Sequence, residues 1–399
     1  MSIRILIVDD SAVVRKVLTD MLNGVSGFEV IAAARDPIFA QKKMEKEWPD
    51  VIILDVEMPR MDGLTFLKKI MTEHPTPVIM CSTLTSEGSH TALQALSIGA
   101  IDVVSKPCSN VKNSLAAASP ELVHAIRVAA KANVNSSPIK SRRVSPDSKT
   151  AKTSPLSPSQ VSLTKPSKLD SSTSTQSQPA PRPQSVLPPH KVAEKLTADV
   201  MLSKGTSRGA RKTGAMIAIG ASTGGTQALE AVLMALPKDT VPILIVQHMP
   251  ESFTLAFAER LNSLCKVEVK EAEDNDLLIP GRVLIAPGGK HMLLQATSLG
   301  AFVQIKDGPL VCRHKPSVDV LFRSVSKFAG SNALGVIMTG MGDDGARGIK
   351  EMHDVGAKTI GQNEATCVVY GMPNEAAKLG AIDDEIDLDE IPEKIAAHK

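Results

Sequence analysis

Ile3-Arg4-Ile5-Leu6-Ile7-Val8-Asp9-Asp10 stands at the start of the chain, and its reading decides the first fold. The run is short, almost continuously apolar, and stops on two acids. A strand that is apolar on both faces must be covered on both, which is the condition of a parallel sheet between two layers of helices. The flanking sequence agrees. Apolar residues at helical spacing follow over Val13–Leu22. Then come a strand over Phe28–Ala33, a helix through Ala40–Glu47 and a strand over Val51–Leu54. Pro77–Cys81 and Ile101–Val104 read as further strands, with helices around Thr91–Ser97 and through Pro120–Ala132. Strand and helix in strict alternation predict an α/β, doubly wound parallel sheet.

The pattern stops and then resumes. Residues 134–212 hold 17 Ser and 10 Pro and no aromatic residue. Such a segment cannot bury enough apolar surface to offset its ordering entropy, so it is expected to be a disordered linker. After it, Met216–Ile219 is a strand, followed by a helix over Thr223–Leu236, a strand over Pro242–Gln247 and a helix over Phe253–Leu264. Arg282–Ala286 is strand-like, and Lys290–Lys306 reads as an antiparallel insertion. Ser317–Phe328, Ala346–Val355 and Asn374–Leu379 are helical; Ala333–Met338 and Lys358–Gly361 are strands. A second doubly wound α/β unit is predicted. The expected domains are 1–133, a linker over 134–212, and 213–399.

Composition excludes several classes. No run of 18 apolar residues is present, so no membrane span is expected. The N-terminus lacks the pattern of a signal peptide. Five scattered cysteines without a CxxC disfavour a zinc site or a disulfide framework, and the protein is expected to be cytoplasmic with reduced thiols. The formal net charge of +2 hides an asymmetry: the linker carries +10 and the remainder −8. Together with 3 % aromatics, this argues against nucleic-acid binding by the folded parts.

In open parallel sheets chemistry collects at the carboxyl ends of the strands. Asp9 and Asp10 follow the first strand, Asp55 ends the third, Ser82 and Thr83 follow the fourth, and Lys106 follows the fifth. Taken singly, Asp9 or Asp10 reads as a helix N-cap, Asp55 as a turn residue and Lys106 as a solvated loop residue. Taken together, three carboxylates converge, and a hard divalent ion such as Mg²⁺ would relieve their repulsion. A lysine and a hydroxyl beside them suit phosphoryl handling, with Asp55 as acceptor. VDDS at 8–11, the LD-x-x-M-P-x-M-D-G run at 54–63, ST at 82–83 and KP at 106–107 resemble the motif set of a response-regulator receiver domain, a flavodoxin-like fold. The resemblance implies phosphorylation at Asp55. It implies Mg²⁺ held by Asp10, Asp55 and the backbone carbonyl of Glu57 with Asp9 assisting, and phosphoryl sensing by Lys106 and Ser82, preferred to Thr83.

The second unit opens with Ile219-Gly220-Ala221-Ser222-Thr223-Gly224-Gly225. Its G-x-S-x-G spacing fits a nucleophile elbow, and equally an N-cap serine in a glycine-rich turn. The next strand ends in Gln247-His248-Met249-Pro250, placing a histidine as candidate general base. A later strand ends in Thr339-Gly340-Met341-Gly342-Asp343-Asp344-Gly345, where an aspartate could orient the histidine. That run also satisfies G-x-G-x-x-G, but Asp343 and Asp344 would repel a pyrophosphate, so dinucleotide binding is rejected. The order Ser…His…Asp differs from that of α/β-hydrolases.

IGASTGG at 219–225, QHMP at 247–250, PGGKHM at 287–292, KPSVDVLF at 315–322 and TGMGDDGARG at 339–348 resemble the catalytic domain of the chemotaxis protein-glutamate methylesterases, the CheB family. The resemblance implies Ser222 as nucleophile, His248 as base and Asp344 as third member, with Asp343 the alternative. It implies the Met341 backbone N–H in the oxyanion hole, Thr223 shaping the site, and no cofactor in the esterase site. His291 and His314 are expected to be non-catalytic. The implied activity is demethylation of chemoreceptor glutamate methyl esters with release of methanol, and deamidation of receptor glutamines. A chemotaxis histidine kinase would be the phosphodonor, and an unphosphorylated receiver would cover the site. The linker is expected to be longer than in typical members, which would weaken that cover.

Overall fold

The computed structural model describes residues 2–58, 61–82, 86–106, 121–134, 195–204, 213–298 and 300–399, the side chains of 82, 86–89 and 105 excepted. The first unit runs β1 (Ile3–Val8), α1 (Ala12–Asn23), β2 (Phe28–Ala34), α2 (Pro37–Met44), β3 (Val51–Asp55), α3 (Gly63–Glu73), β4 (Val78–Ser82), α4 (Ser86–Ile98), β5 (Asp102–Ser105) and α5 (121–129). Its five strands are parallel in the order β2-β1-β3-β4-β5. The order reverses between β1 and β3, so the crevice at their carboxyl ends is the natural place for a ligand.

Alternation along each strand feeds two cores. Ile5 and Ile7 pack with Leu18, Leu22 and Ile126. Leu6, Val8 and Leu54 pack with Phe66 and Leu67 on the other face. The helices start where the sequence supplies caps: Asp36 accepts from the Phe39 amide at 3.0 Å, with Pro37 opening α2, and Asp62 accepts from Thr65 at 2.8 Å.

The second unit runs β6 (Met216–Ala221), α6 (Gly225–Ala235), β7 (Ile243–Gln247), α7 (Glu251–Leu264), β8 (Glu268–Glu271), β9 (Arg282–Ile285), β10 (His291–Thr297), β11 (Gly300–Lys306), α8 (Val318–Phe328), β12 (Ala333–Ile337), α9 (Ala346–Asp354), β13 (Lys358–Gln362), α10 (Met372–Lys378), β14 (Asp384–Ile386) and α11 (Ile391–Ala397). Seven parallel strands follow the order β14-β13-β12-β6-β7-β9-β8, and β10 and β11 form the expected antiparallel hairpin apart from them. Ile217 and Ile219 face Leu229, Val232 and Phe257; Met216 and Ala218 face Leu321, Phe322 and Val325. The chain first builds outward from β6 through β7 and then returns to add β12, so the sheet has its switch point between β6 and β12.

The two sheets' helices meet. Ala92 and Leu93 of α4 are buried in the same cluster as Phe253 and Phe257 of α7. Gln227 Nε2 donates to the Leu96 carbonyl at 2.6 Å, and the Asn133 amide to the Val368 carbonyl at 2.8 Å.

Composition places 134–212 in the linker. Residues 135–194 and 205–212 lie outside the described residues, and with them the expectation of disorder. Residues 195–204 do not behave as tether. A 3₁₀ turn over Ala198–Val200 is seated on the second unit, with Ala198 and Met201 buried against Leu293, Val311 and Val320. The Cys312 amide donates to the Leu196 carbonyl at 2.9 Å. Five of these ten residues are apolar (Leu196, Ala198, Val200, Met201 and Leu202) and none is proline, a local composition that the Ser- and Pro-rich average over 134–212 hides.

Candidate active site

In the first unit, Asp9 follows β1 and Asp55 closes β3, both buried, while Asp10 is exposed. Oxygens of Asp9, Asp10 and Asp55 lie within 4.8 Å of one another. Lys106 Nζ stands 2.5 Å from Asp55 Oδ2 and 3.3 Å from Asp9 Oδ2. Burial, reinforced by the Asp9 charge, pushes the Asp55 carboxyl up to about 6 despite Lys106. Burial also pulls the Lys106 ammonium down, but the two carboxylates outweigh it and hold its pKa above the ordinary value. The Glu57 amide donates to Asp55 Oδ1 at 3.3 Å, and its own side chain is exposed. Three carboxylates sharing so small a space, two of them buried, suit a hard dication with oxygen ligands. Ser82 closes β4 by its backbone; its side chain, and Thr83, lie outside the described residues.

In the second unit, the chain leaves β6 at Ala221 and turns through Ser222-Thr223-Gly224 into α6. Gly224 has φ +78°, and a Cβ there would come 2.6 Å from Val368 Cβ; a Cβ on Gly225 would strike Gln247 Oε1 at 2.1 Å. The turn is lashed from both sides. The Ser222 amide donates to the Thr339 carbonyl at 3.0 Å, and Thr339 Oγ1 to the Thr223 carbonyl at 2.9 Å. Gln247, buried at the end of β7, donates through one amide nitrogen to the carbonyls of both Ser222 (2.9 Å) and His248 (3.0 Å).

His248 follows β7 and meets Asp344, which follows β12: Nε2 to Oδ2 is 2.8 Å, with side-chain exposures of 7 % and 1 %. His248 Nδ1 is buried and, among the described residues, has no hydrogen-bond partner. Asp344 is pinned at the N-terminus of α8, accepting from Ser317 Oγ (2.8 Å) and the amides of Val318 (2.8 Å) and Asp319 (3.0 Å). Burial alone would raise its pKa, but the contact with His248 and these donors outweigh burial and hold it below the carboxylate range. Ser222, Thr223, His248 and Met341 line one cleft. Asp343, the alternative acid, turns away and pairs with Lys195.

Neither further histidine touches Asp344, but each has a place. The His314 ring stacks on His248 with centroids 3.7 Å apart and planes 6° from parallel, and burial together with His248 pulls its pKa far down. His291 is fully buried; its Nδ1 accepts from the Ser317 amide at 3.3 Å, and its Nε2 lies 2.9 Å from the Pro309 carbonyl. The glycine-rich run gives a physical reason against dinucleotide binding. The amides of Gly345 and Gly348 at the start of α9 already donate to Asp319 Oδ1, at 3.0 and 2.7 Å.

Gln247, Ser317 and Thr339 were not singled out by sequence reasoning. Ser317 carried a signal, as an N-cap before the apolar period of α8, and it does cap Val320 at 3.4 Å. Its second bond, to Asp344, had none.

Residues 217–395 match the CheB methylesterase family and residues 5–117 the response-regulator receiver domain. The chain is 52 % identical over 394 residues to protein-glutamate methylesterase/protein-glutamine glutaminase 1 of Pseudomonas savastanoi pv. phaseolicola, covering 98 % of each chain. It is 52 % identical over 395 residues to the third such protein of Shewanella oneidensis, covering 99 % of each, and 53 % identical over 394 residues to the second of Pseudomonas syringae pv. tomato, covering 98 % of each. These relatives match end to end, which corrects the expectation of an unusually long linker. No helix among the described residues is long and apolar enough to cross a membrane. The chain belongs to the CheB family of protein-glutamate methylesterases/protein-glutamine glutaminases, with a receiver domain preceding the methylesterase domain.

Proposed function

We propose that the chain is a phosphorylation-controlled hydrolase that demethylates glutamate methyl esters on chemoreceptors and deamidates receptor glutamines in chemotaxis adaptation. The observation that carries the reading is the 2.8 Å contact of His248 with Asp344 in the cleft that Ser222 also lines. With Nε2 turned to the carboxylate, Nδ1 is the nitrogen left to take the Ser222 proton. Ser222 Oγ attacks the ester carbonyl, and the oxyanion is received by the Met341 amide, in a pocket shaped by Thr223. Collapse of the tetrahedral species returns the proton to the leaving methoxide, and methanol departs. Water then gives a proton to His248, attacks the acyl-enzyme and frees Ser222 and the glutamate. For glutamine the same steps release ammonia.

Asp55 is the phosphoacceptor, Lys106 and Ser82 bind the phosphoryl oxygens, and Asp9, Asp10, Asp55 and the Glu57 carbonyl would hold Mg²⁺. When bound, the ion supplies charge neutralisation at the transferring phosphoryl group. The phosphodonor is the chemotaxis histidine kinase. The cleft holding Ser222 is also lined by Asp102, Glu121 and His124 of the first unit, which supports cover of the site by the unphosphorylated receiver. The protein acts in the cytoplasm, without nucleic acid or a cofactor in the esterase site, and divides into 1–133, a linker and the methylesterase domain.

Methanol release from methylated receptor membranes, with and without a small-molecule phosphodonor, tests the reading. Release that rises with phosphodonor and disappears in Ser222→Ala is expected. No release in either condition overturns the hydrolase, and equal release in both overturns the control.

A further inference from the structure

Val311 and His314 pair as a minimal antiparallel bridge, with amide-to-carbonyl bonds of 3.0 and 2.8 Å in the two directions. The two residues between them, Cys312 and Arg313, both have positive φ, +49° and +71°. Consecutive positive φ values are the signature of a type I′ turn, which favours Asn-Gly and penalises most other residues because their Cβ crowds the backbone. Strain of this kind persists only where the surroundings over-determine it, and it collects at functional sites.

The surroundings account for Cys312. It is buried, its amide is held by the Leu196 carbonyl, and its thiol donates to Asp319 Oδ2 at 3.2 Å. Nothing comparable accounts for Arg313. It is exposed and lines the same cleft as Ser222 and His248. Among the described residues it makes no ion pair. Its neighbour Lys315, by contrast, is engaged by Asp307 at 2.8 Å and the Gly308 carbonyl at 3.1 Å. A glycine would satisfy the turn better, so the turn presents a free guanidinium beside the reacting groups against its own backbone preference.

We propose that Arg313 anchors a carboxylate of the substrate protein next to the scissile glutamyl ester, and so is a specificity determinant; this rests on the hydrolase reading above. A methyl ester or a primary amide carries no charge by which its chain can be oriented. A carboxylate nearby does, and a guanidinium fork fixes one bidentately. Each turnover also unmasks a glutamate, so a segment with more than one target glutamate acquires such carboxylates as it is processed. Two acids of the first unit, Asp102 and Glu121, line the same cleft.

The test uses the full chain activated with a phosphodonor, and the variants Arg313→Gly, Arg313→Glu and Arg313→Lys. Two substrates are compared, methylated receptor membranes and the small uncharged ester p-nitrophenyl acetate. For Arg313→Gly, kcat/KM on receptor is expected to fall about 10- to 100-fold, mostly through KM. Its Tm should be equal to or above that of the parent, and hydrolysis of the small ester unchanged. Arg313→Glu should be worse on receptor, and Arg313→Lys partly rescued. Unchanged kcat/KM on receptor overturns the inference. So does a fall in Tm with parallel loss on both substrates, which marks a structural role. A rise in unphosphorylated activity with unchanged KM after phosphorylation also overturns it, and assigns Arg313 to receiver docking alone. Absence of methanol release by the parent chain overturns the hydrolase reading itself, and the inference with it.

Discussion

His248 Nε2 lies 2.8 Å from Asp344 Oδ2, and the remaining donors to that carboxylate come from the first residues of α8. Asp344 is thus fixed by a helix N-terminus before it meets the imidazole, and it needs no rearrangement when the imidazolium forms. Such preorganisation is the usual source of electrostatic stabilisation in active sites.

Asp344→Asn keeps the shape and removes the charge. It leaves an amide that must present either a donor or an acceptor to His248. A loss of about 10⁴-fold in kcat is expected from the wrong tautomer alone. Asp343→Asn removes only a half-exposed pair with Lys195 and is expected to change kcat by less than about threefold. Methanol release by the two variants separates them; comparable losses would remove Asp344 from its special position.

Asp319 lies beside Asp344, buried, and burial followed by the Asp344 charge raises its pKa to about 6. The unfolded chain gives up this proton near the ordinary carboxylate value, so the folded state holds it more tightly. The group's contribution is fully present below about pH 4 and is lost as pH rises through about 6. Both backbone amides that Asp319 accepts reach Oδ1, which an asparagine can retain. Asp319→Asn should therefore raise Tm relative to the parent at pH 8 and lose that advantage towards pH 5. A Tm difference independent of pH would reject the argument.

Gln247 ties the carbonyls of the nucleophile and base positions with one amide nitrogen. Gln247→Met preserves volume and loses both bonds. Misplacement of reacting groups costs rate rather than affinity, so kcat should fall about 10- to 100-fold while KM on receptor stays within about twofold. Inactivation by a serine-directed phosphonate should slow in parallel. A change confined to KM would contradict this.

What the sequence disclosed follows from where the information sits. β1, β3, β6, β7 and β12 are apolar on both faces and were legible. β8 (Glu268–Glu271) and β14 (Asp384–Ile386) are short edge strands with charged residues, and no alternation marked them. Ser222, His248 and Asp344 stood out because each follows a legible strand. Gln247, Thr339 and Ser317 did not, because what defines them is a hydrogen-bond partner distant in the chain. The seat of residues 195–204 was hidden because its five apolar residues are averaged with the Ser- and Pro-rich stretch before it.

That seat depends on Arg323, which is 7 % exposed and forks onto Glu351 (2.9 and 2.6 Å), while also reaching Asp199 at 2.7 Å and the Leu202 carbonyl at 3.2 Å. Glu351 is 8 % exposed and Asp199 64 %. Arg323→Met would leave the Glu351 carboxylate buried and unpaired, at a cost of about 3–5 kcal/mol, and would release the segment ending at Leu202. Asp199→Asn breaks only the exposed limb and should cost less than about 1 kcal/mol. Denaturant melts of the full chain give both values. Limited proteolysis should show new cleavage within 195–204 for Arg323→Met and much less for Asp199→Asn. Equal, small effects would mean that the segment is held by Ala198 and Met201 alone, through burial and without help from the buried charge.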